Sequence, residues 1–163
     1  MNYHKIEKFS TNNGNGIRVV LWVSGCSLNC KNCQNPETHD PNAGKLWTQE
    51  SEQELFESLD KDYISGITFS GGHPLEHYNI DIITELSKKI KQKFPNKSQW
   101  LYTGYLWENI KDLEIMKYLD VIVDGPYIDE LRDISLKWRG SLNQRVINIP
   151  QSIKENKVIL FCD

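Results

Sequence analysis

Three cysteines of this 163-residue chain, Cys26, Cys30 and Cys33, form a C-x3-C-x2-C motif. Thiolates this close in sequence repel one another unless a cation binds them, so the motif predicts a metal centre. Iron–sulfur clusters are normally held by four cysteines, and three would leave one iron without a protein thiolate. An iron in that state can bind and activate a small molecule.

A structural zinc site is the main alternative from the residues alone. His39 would complete a Cys3His set with the three cysteines, although structural zinc ligands usually come in two separated pairs. A disulfide framework fits poorly, because cysteine is sparse and a domain of this length needs no covalent staples. The remaining cysteine, Cys162, ends an apolar run far downstream and is expected to be a buried or terminal thiol rather than a fourth ligand.

Composition predicts an ordinary globular protein, with residues 1–163 forming a single domain. Hydrophobic residues make up 39% of the chain and charged residues 25%, and the formal net charge is -3. This balance argues against disorder and against general nucleic-acid binding. No apolar run approaches the roughly 20 residues needed to cross a bilayer, and no signal peptide is expected. We therefore expect a cytoplasmic protein without a membrane partner.

Apolar periodicity predicts the elements that must position the cysteines. A nearly continuous apolar run immediately before the cysteine motif is typical of a strand buried on both faces. Capping residues Thr48 and Asn79 predict the starts of two helices. The predicted strands cover 18–23, 66–70, 99–102, 120–123, 145–149 and 158–161, and a third helix covers 107–118. This order predicts right-handed crossovers and a mainly parallel sheet.

Unusual loops follow the carboxyl ends of the first four predicted strands, where ligands bind in parallel sheets. They are the cysteine motif, the pair Gly71 and Gly72, residues 103–105 and residues 124–125. Glycines without side chains let a ligand approach the backbone closely. Pro74 favours an extended His73, whose neighbouring carbonyls would then accept hydrogen bonds from an ammonium group. The sequence therefore predicts one site at this edge of the sheet.

The cysteine motif together with Gly71-Gly72-His73-Pro74 resembles the radical S-adenosylmethionine superfamily. Further motifs resemble, within it, the activating proteins of anaerobic ribonucleoside-triphosphate reductases. These motifs are residues 23–26, 70–75, 100–105, 123–125 and 138–145. The resemblance extends over nearly the whole chain, apart from its last eighteen residues.

The resemblance implies an α/β fold built as an incomplete curved parallel barrel. It implies that Cys26, Cys30 and Cys33 ligate a [4Fe-4S] cluster whose fourth iron is chelated by S-adenosylmethionine. Reductive cleavage would yield a 5′-deoxyadenosyl radical that makes a glycyl radical on the catalytic subunit of the reductase. The cofactors carry this chemistry, so no other catalytic side chain is expected, and the electron would come from a donor such as a flavodoxin.

The resemblance also implies a set of cofactor-binding residues. Adenine contacts are expected from Asn32 and Gln34, and contacts to the methionine part from Gly71, Gly72, His73 and Pro74. Relatives usually carry Asp or Glu in place of His73, and many members of the superfamily carry an aromatic residue in place of Asn32.

Two alternative functions stay open. One is an activase for another glycyl-radical enzyme of the formate-lyase type, and the other is a non-catalytic zinc module. For the activase, the polar segment 138–141 is a candidate contact to the partner.

Overall fold

The protein, described here by a computed structural model over residues 1–162, is built on one seven-stranded sheet. The strands are β1 (Asn2–Ser10), β2 (Arg18–Val23), β3 (Lys45–Leu46), β4 (Gly66–Gly71), β5 (Ser98–Tyr102), β6 (Val121–Asp124) and β7 (Arg145–Asn148). Their order across the sheet is β3-β1-β2-β4-β5-β6-β7.

The helices are α1 (Gln49–Leu59), α2 (Ile80–Lys93), α3 (Trp107–Ile110) and α4 (Ile149–Glu155), with 3-10 turns at Pro36–Thr38, Glu114–Lys117 and Asp129–Leu131. No helix within residues 1–162 is long and apolar enough to span a membrane.

The four central strands confirm the predicted parallel arrangement. Strands β2, β4, β5 and β6 pair in parallel, whereas β1, β3 and β7 add antiparallel pairs at the two edges. The sheet is open, with β3 and β7 as its edge strands. Parallel pairing places the carboxyl ends of the four central strands, and the loops that follow them, on one edge.

Alternation along the central strands separates the two faces of the sheet. One side-chain set, including Leu21, Phe69 and Leu101, packs with the apolar faces of the helices into the main core. The opposite set packs around Trp100 in a smaller cluster that contains no helix residue. Loops cover this second face instead, and Arg18 anchors one of them.

The guanidinium of Arg18 is fully buried on the second face, where all its N–H groups are bonded. It donates to Thr68 Oγ1 at 2.8 Å, to Ser98 Oγ and to the carbonyls of Asn15, Ile67 and Ser98. Burial lowers its pKa to about 10. Its contact with Asn15 ties the 11–17 loop to the sheet.

The predicted third helix over 107–118 is wrong in its length. Helix α3 ends at Ile110, and a separate 3-10 turn covers Glu114–Lys117 after an extended Leu113. Trp107 and Ile110 are buried, and so are Ile115 and Met116. These four side chains do not lie on one stripe of a straight helix, so the break allows both pairs to reach the core.

Both chain ends differ from the sequence prediction. Strand β1 was missed because its polar and charged residues, on a half-exposed strand next to the edge, do not give a continuous apolar run. The predicted strand 145–149 ends at Asn148, since Ile149 and Pro150 begin helix α4, and proline is favoured in a first helical turn. The predicted last strand over 158–161 is reduced to a single bridge between Leu160 and Ile147.

Candidate iron–sulfur site

The cysteine loop, residues 24–35, leaves the carboxyl end of β2 and is closed at its base by backbone hydrogen bonds. Gly25 N donates to Thr38 O at 2.7 Å, and Cys26 N donates to His39 O at 3.1 Å. The 3-10 turn Pro36–Thr38 therefore returns the chain to the start of the loop. The backbone of the loop that carries the three cysteines is therefore anchored at its start and at its return.

The glycines after β4 pack against the base of this loop. Gly72 N donates to Val23 O at 2.8 Å, and His73 N donates to Gly25 O at 2.7 Å. A Cβ on Gly72 would collide with the carbonyl oxygens of Gly25 and Thr38. Gly71 has φ +100°, in the left-handed region that favours glycine. The protein's own backbone packing therefore requires the Gly-Gly pair, whatever ligand also binds there.

Asn79 connects the same two loops through its side chain. Its fully buried amide donates to Ser24 O at 3.0 Å and to His73 O at 3.1 Å. It occupies the N-cap position of α2, as predicted, but makes no side-chain capping bond. The Asn79 side chain, which the sequence predicted as a helix cap, therefore cross-links the cysteine loop and the glycine turn.

The imidazole of His73 contacts protein groups on several sides and is 1% exposed. Its Nε2 lies 2.7 Å from Thr103 Oγ1, and its ring meets the ring of Tyr105 edge-on at 4.3 Å. Its carbonyl already accepts bonds from Asn79 Nδ2 and Glu76 N. Burial lowers the pKa of His73, although the neighbouring Glu76 opposes that shift. Its predicted contact to a methionine amine stays a prediction.

The lowered pKa of His73 predicts a pH dependence of stability. Between the folded pKa and about 6.5, the unfolded chain binds a proton that the folded chain does not. This residue's contribution to the free energy of unfolding should therefore fall as pH drops below about 6.5 and be flat above it. Denaturant unfolding of the wild type and His73→Gln, at about pH 5.5 and about pH 8, checks this. The wild type should lose more stability on acidification, and equal losses would contradict the assignment.

Glu76, which the sequence analysis did not select, lies beside the cysteine motif. Its carboxylate is buried, and Oε1 accepts the N–H of Ser27 at 2.9 Å and the hydroxyl of Ser27 at 2.6 Å. Burial pushes the pKa of Glu76 up, but the two Ser27 bonds and His73 outweigh it, so this pKa lies below its usual value. The available signal was a carboxylate two positions after the proline of the Gly-Gly-x-Pro turn.

A cavity of about 390 Å³ opens on the second face of the sheet beside the cysteine loop. Trp22, Ser70 and Tyr102, from the carboxyl halves of β2, β4 and β5, contribute to its lining. Gln34 and Asn35 of the cysteine loop line it as well. The sequence analysis did not predict these strand residues as site residues. Their aromatic and hydroxyl side chains, within otherwise apolar strands, were the available signal.

Asn32 and Gln34, the predicted adenine contacts, lie in different surroundings. Asn32 has φ +53°, and its side-chain amide donates to Asp129 Oδ2 at 2.7 Å. Gln34 lines the cavity beside Gly140. Asp129 and its neighbours therefore brace the outer side of the cysteine loop, and only Gln34 of the two has its side chain at the cavity.

The 126–144 segment crosses the second face and supplies one wall of the cavity. Trp138 packs edge-on against Trp100 at 5.0 Å, and its carbonyl accepts the hydroxyl of Tyr102 at 2.8 Å. Arg139 Nη1 donates to Gln144 O at 2.7 Å. Trp138 and Arg139 therefore hold this segment against the sheet and also line the cavity, and the predicted contact of residues 138–141 with the partner stays a prediction. The apolar side chains of this segment that face solvent are Leu131, Ile134 and Leu142.

The three cysteines have the donor chemistry of an iron–sulfur site, because such clusters are held by Cys thiolates. Cys26, Cys30 and Cys33 are free and half-buried on one loop, and burial raises the pKa of Cys26. Within residues 1–162, no three His, Cys, Asp or Glu side chains are grouped to hold one metal ion. Cys162 packs against the Trp100 cluster instead.

A comparison with protein families identifies the kind of cofactor that this chain's family holds. Residues 12–147 match the family described as a 4Fe-4S single cluster domain. The fold and the cysteine loop therefore define an iron–sulfur protein.

Individual relatives identify the family within this class of iron–sulfur proteins. A phage T4 protein is 46% identical over 146 residues, covering 90% of this chain and 93% of the relative. A Vibrio cholerae protein is 38% identical over 148 residues, covering 88% and 96%. An Escherichia coli K12 protein is 37% identical over 150 residues, covering 90% and 97%. Each is named anaerobic ribonucleoside-triphosphate reductase-activating protein, and the chain belongs to this family.

Proposed function

We propose that this protein is a radical S-adenosylmethionine activase for an anaerobic ribonucleoside-triphosphate reductase. The observation that carries the proposal is the cysteine loop, which lies at the carboxyl edge of four parallel strands beside an open cavity. Relatives with this family's name match about nine tenths of the chain. The open sheet, with its helices on one face, is compatible with an incomplete curved barrel.

In this proposal Cys26, Cys30 and Cys33 hold a [4Fe-4S] cluster. When bound, the cluster and S-adenosylmethionine would supply one-electron reductive cleavage of the sulfonium, with methionine and 5′-deoxyadenosine as products and the hydrogen atom taken from a glycine of the reductase. The Gly71–Pro74 turn lies at the base of the cysteine loop and is proposed to bind the methionine part. Gln34 is proposed to contact adenine from the cavity wall.

The chain's own residues have two further tasks in this proposal. The backbone bonds of Gly25 and Cys26 to the returning turn hold the loop in place, so the cofactors would meet a fixed set of thiolates. The cavity on the second face is proposed to receive an extended peptide of the partner, between the cysteine loop and the 126–144 segment that line it. Ile134, which lines the cavity, and Leu131 and Leu142 of the same segment are exposed and are proposed to provide apolar surface for that partner.

Anaerobic reconstitution with iron and sulfide tests the proposal. We expect a brown protein that, with a one-electron donor such as reduced flavodoxin, converts S-adenosylmethionine into methionine and 5′-deoxyadenosine. Addition of the reductase should then produce a glycyl-radical signal in electron paramagnetic resonance.

Two comparisons separate the alternatives. A formate-lyase-type enzyme in place of the reductase should give no radical, and a radical there alone would favour the other class of activase. A colourless protein with one tightly bound zinc per chain would eliminate the proposal.

A further inference from the structure

We infer that Glu76 is a positioning residue whose buried negative charge lowers the reduction potential of the cluster held by the cysteine loop. The inference rests on the proposed cluster site, but it assigns a role to a residue outside the cysteine and glycine motifs. It predicts how readily the cluster accepts an electron from an external one-electron donor.

The contacts of Glu76 connect it directly to the motif. Its Oε1 accepts both the N–H and the hydroxyl of Ser27, which immediately follows Cys26. The Glu76 side chain is 7% exposed, so little water screens its charge. The carboxylate therefore lies within hydrogen-bond distance of the residue that follows the first cysteine of the motif.

No cation in the described part of the chain cancels this charge. The one basic side chain there within 4.0 Å of the carboxylate is His73, whose Nδ1 lies 3.6 Å from Oε1. The His73 side chain is 1% exposed, and burial disfavours its charged form. Nδ1 makes no hydrogen bond. The loop therefore carries a largely uncompensated buried anion beside its first cysteine.

An anion near a redox centre opposes the arrival of an electron, because reduction adds negative charge. The strength of this effect in a protein interior depends on burial, since solvent and salt weaken it for exposed groups. Potentials of iron–sulfur clusters respond to net charge, hydrogen bonds and exposure. Glu76 is placed to act through the first of these, and the two bonds that it accepts from Ser27 partly neutralise its charge.

The test is a redox titration of the reconstituted cluster in the intact chain. At one fixed ambient potential, Glu76→Gln should raise the ratio of reduced to oxidised cluster roughly tenfold, or about 59 mV for a one-electron couple. Glutamine keeps an oxygen that can accept both Ser27 bonds, so the change removes charge and retains the contact. The reduced cluster is counted by electron paramagnetic resonance, independently of activity.

Glu130→Gln is the matched control. Glu130 also bonds the cysteine loop, through Lys31 Nζ at 2.9 Å, but its side chain is 66% exposed and its charge is paired. The same loss of charge should therefore leave the ratio nearly unchanged. A control shift as large as that of Glu76→Gln would overturn the inference.

Ser27→Ala should change the ratio of reduced to oxidised cluster in the opposite direction. Removing the hydroxyl leaves the carboxylate less neutralised, so the reduced fraction should fall below that of the wild type. If Glu76→Gln fails to retain the cluster, the test rests on Ser27→Ala alone. An unchanged or higher reduced fraction in Ser27→Ala then refutes the role of Glu76. An intact Glu76→Gln cluster with wild-type potential also refutes it. Cleavage of S-adenosylmethionine by the wild type is scored separately, so its loss counts against the proposed function and not against Glu76.

Discussion

Replacing any one of Cys26, Cys30 and Cys33 by alanine should abolish cluster retention and the cleavage of S-adenosylmethionine. Each thiolate is proposed to hold a different iron, so no remaining ligand can substitute for the one removed. Iron content, visible absorbance and 5′-deoxyadenosine formation after anaerobic reconstitution measure the effect. We expect all three to fall to background.

Cys162→Ala is the matched control for these variants. Cys162 packs against the cluster around Trp100 on the second face and takes no part in the cysteine loop. Its replacement should leave iron content and cleavage near wild type. Bleaching equal to that of Cys26→Ala would instead establish a four-thiolate site and remove the open iron on which the proposed chemistry depends.

Gly72→Ala should destabilise the protein and weaken cluster retention together. The added Cβ would meet the carbonyl oxygens of Gly25 and Thr38, which belong to the backbone and cannot rotate away. Overpacking of this kind costs roughly 1–3 kcal/mol, and the strain falls on the base of the cysteine loop. Denaturant unfolding measures the first effect, and iron content after desalting measures the second.

Gly140→Ala is the control for this substitution. A Cβ there would lie 3.2 Å from Gln34 Nε2 and Tyr127 Cδ2, both side-chain atoms that can shift. The expected cost is within about 0.5 kcal/mol, as for most surface substitutions. If the two alanine variants lose equal stability and equal iron, the close backbone approach at Gly72 has no special role.

Much of the architecture could be predicted because its signals are local. The run Arg18–Val23 is a buried strand, and Thr48 caps α1 through a reciprocal bond pattern with Ser51. The helix α2 follows an apolar stripe that ends before Pro95. These elements depend on periodicity and capping within a few residues, which a single sequence contains.

Other elements depend on partners distant in the chain. Strand β1 has a polar composition and is stabilised by pairing with β2 and β3. The helix predicted over 107–118 breaks because two pairs of apolar side chains reach the core from different directions. Local sequence propensity does not predict either feature, because tertiary packing routinely overrides it.

The sequence by itself determined the cysteine motif, the parallel β-α order and the edge of the sheet where the loops meet. These follow from residue types at short spacing and from the geometry of parallel strands. Tertiary structure alone decided that His73 bonds Thr103, that Asn79 ties two loops, and that the buried carboxylate of Glu76 accepts two bonds from Ser27. Hydrogen-bond partners and burial belong to groups that are far apart in the chain and adjacent only after folding.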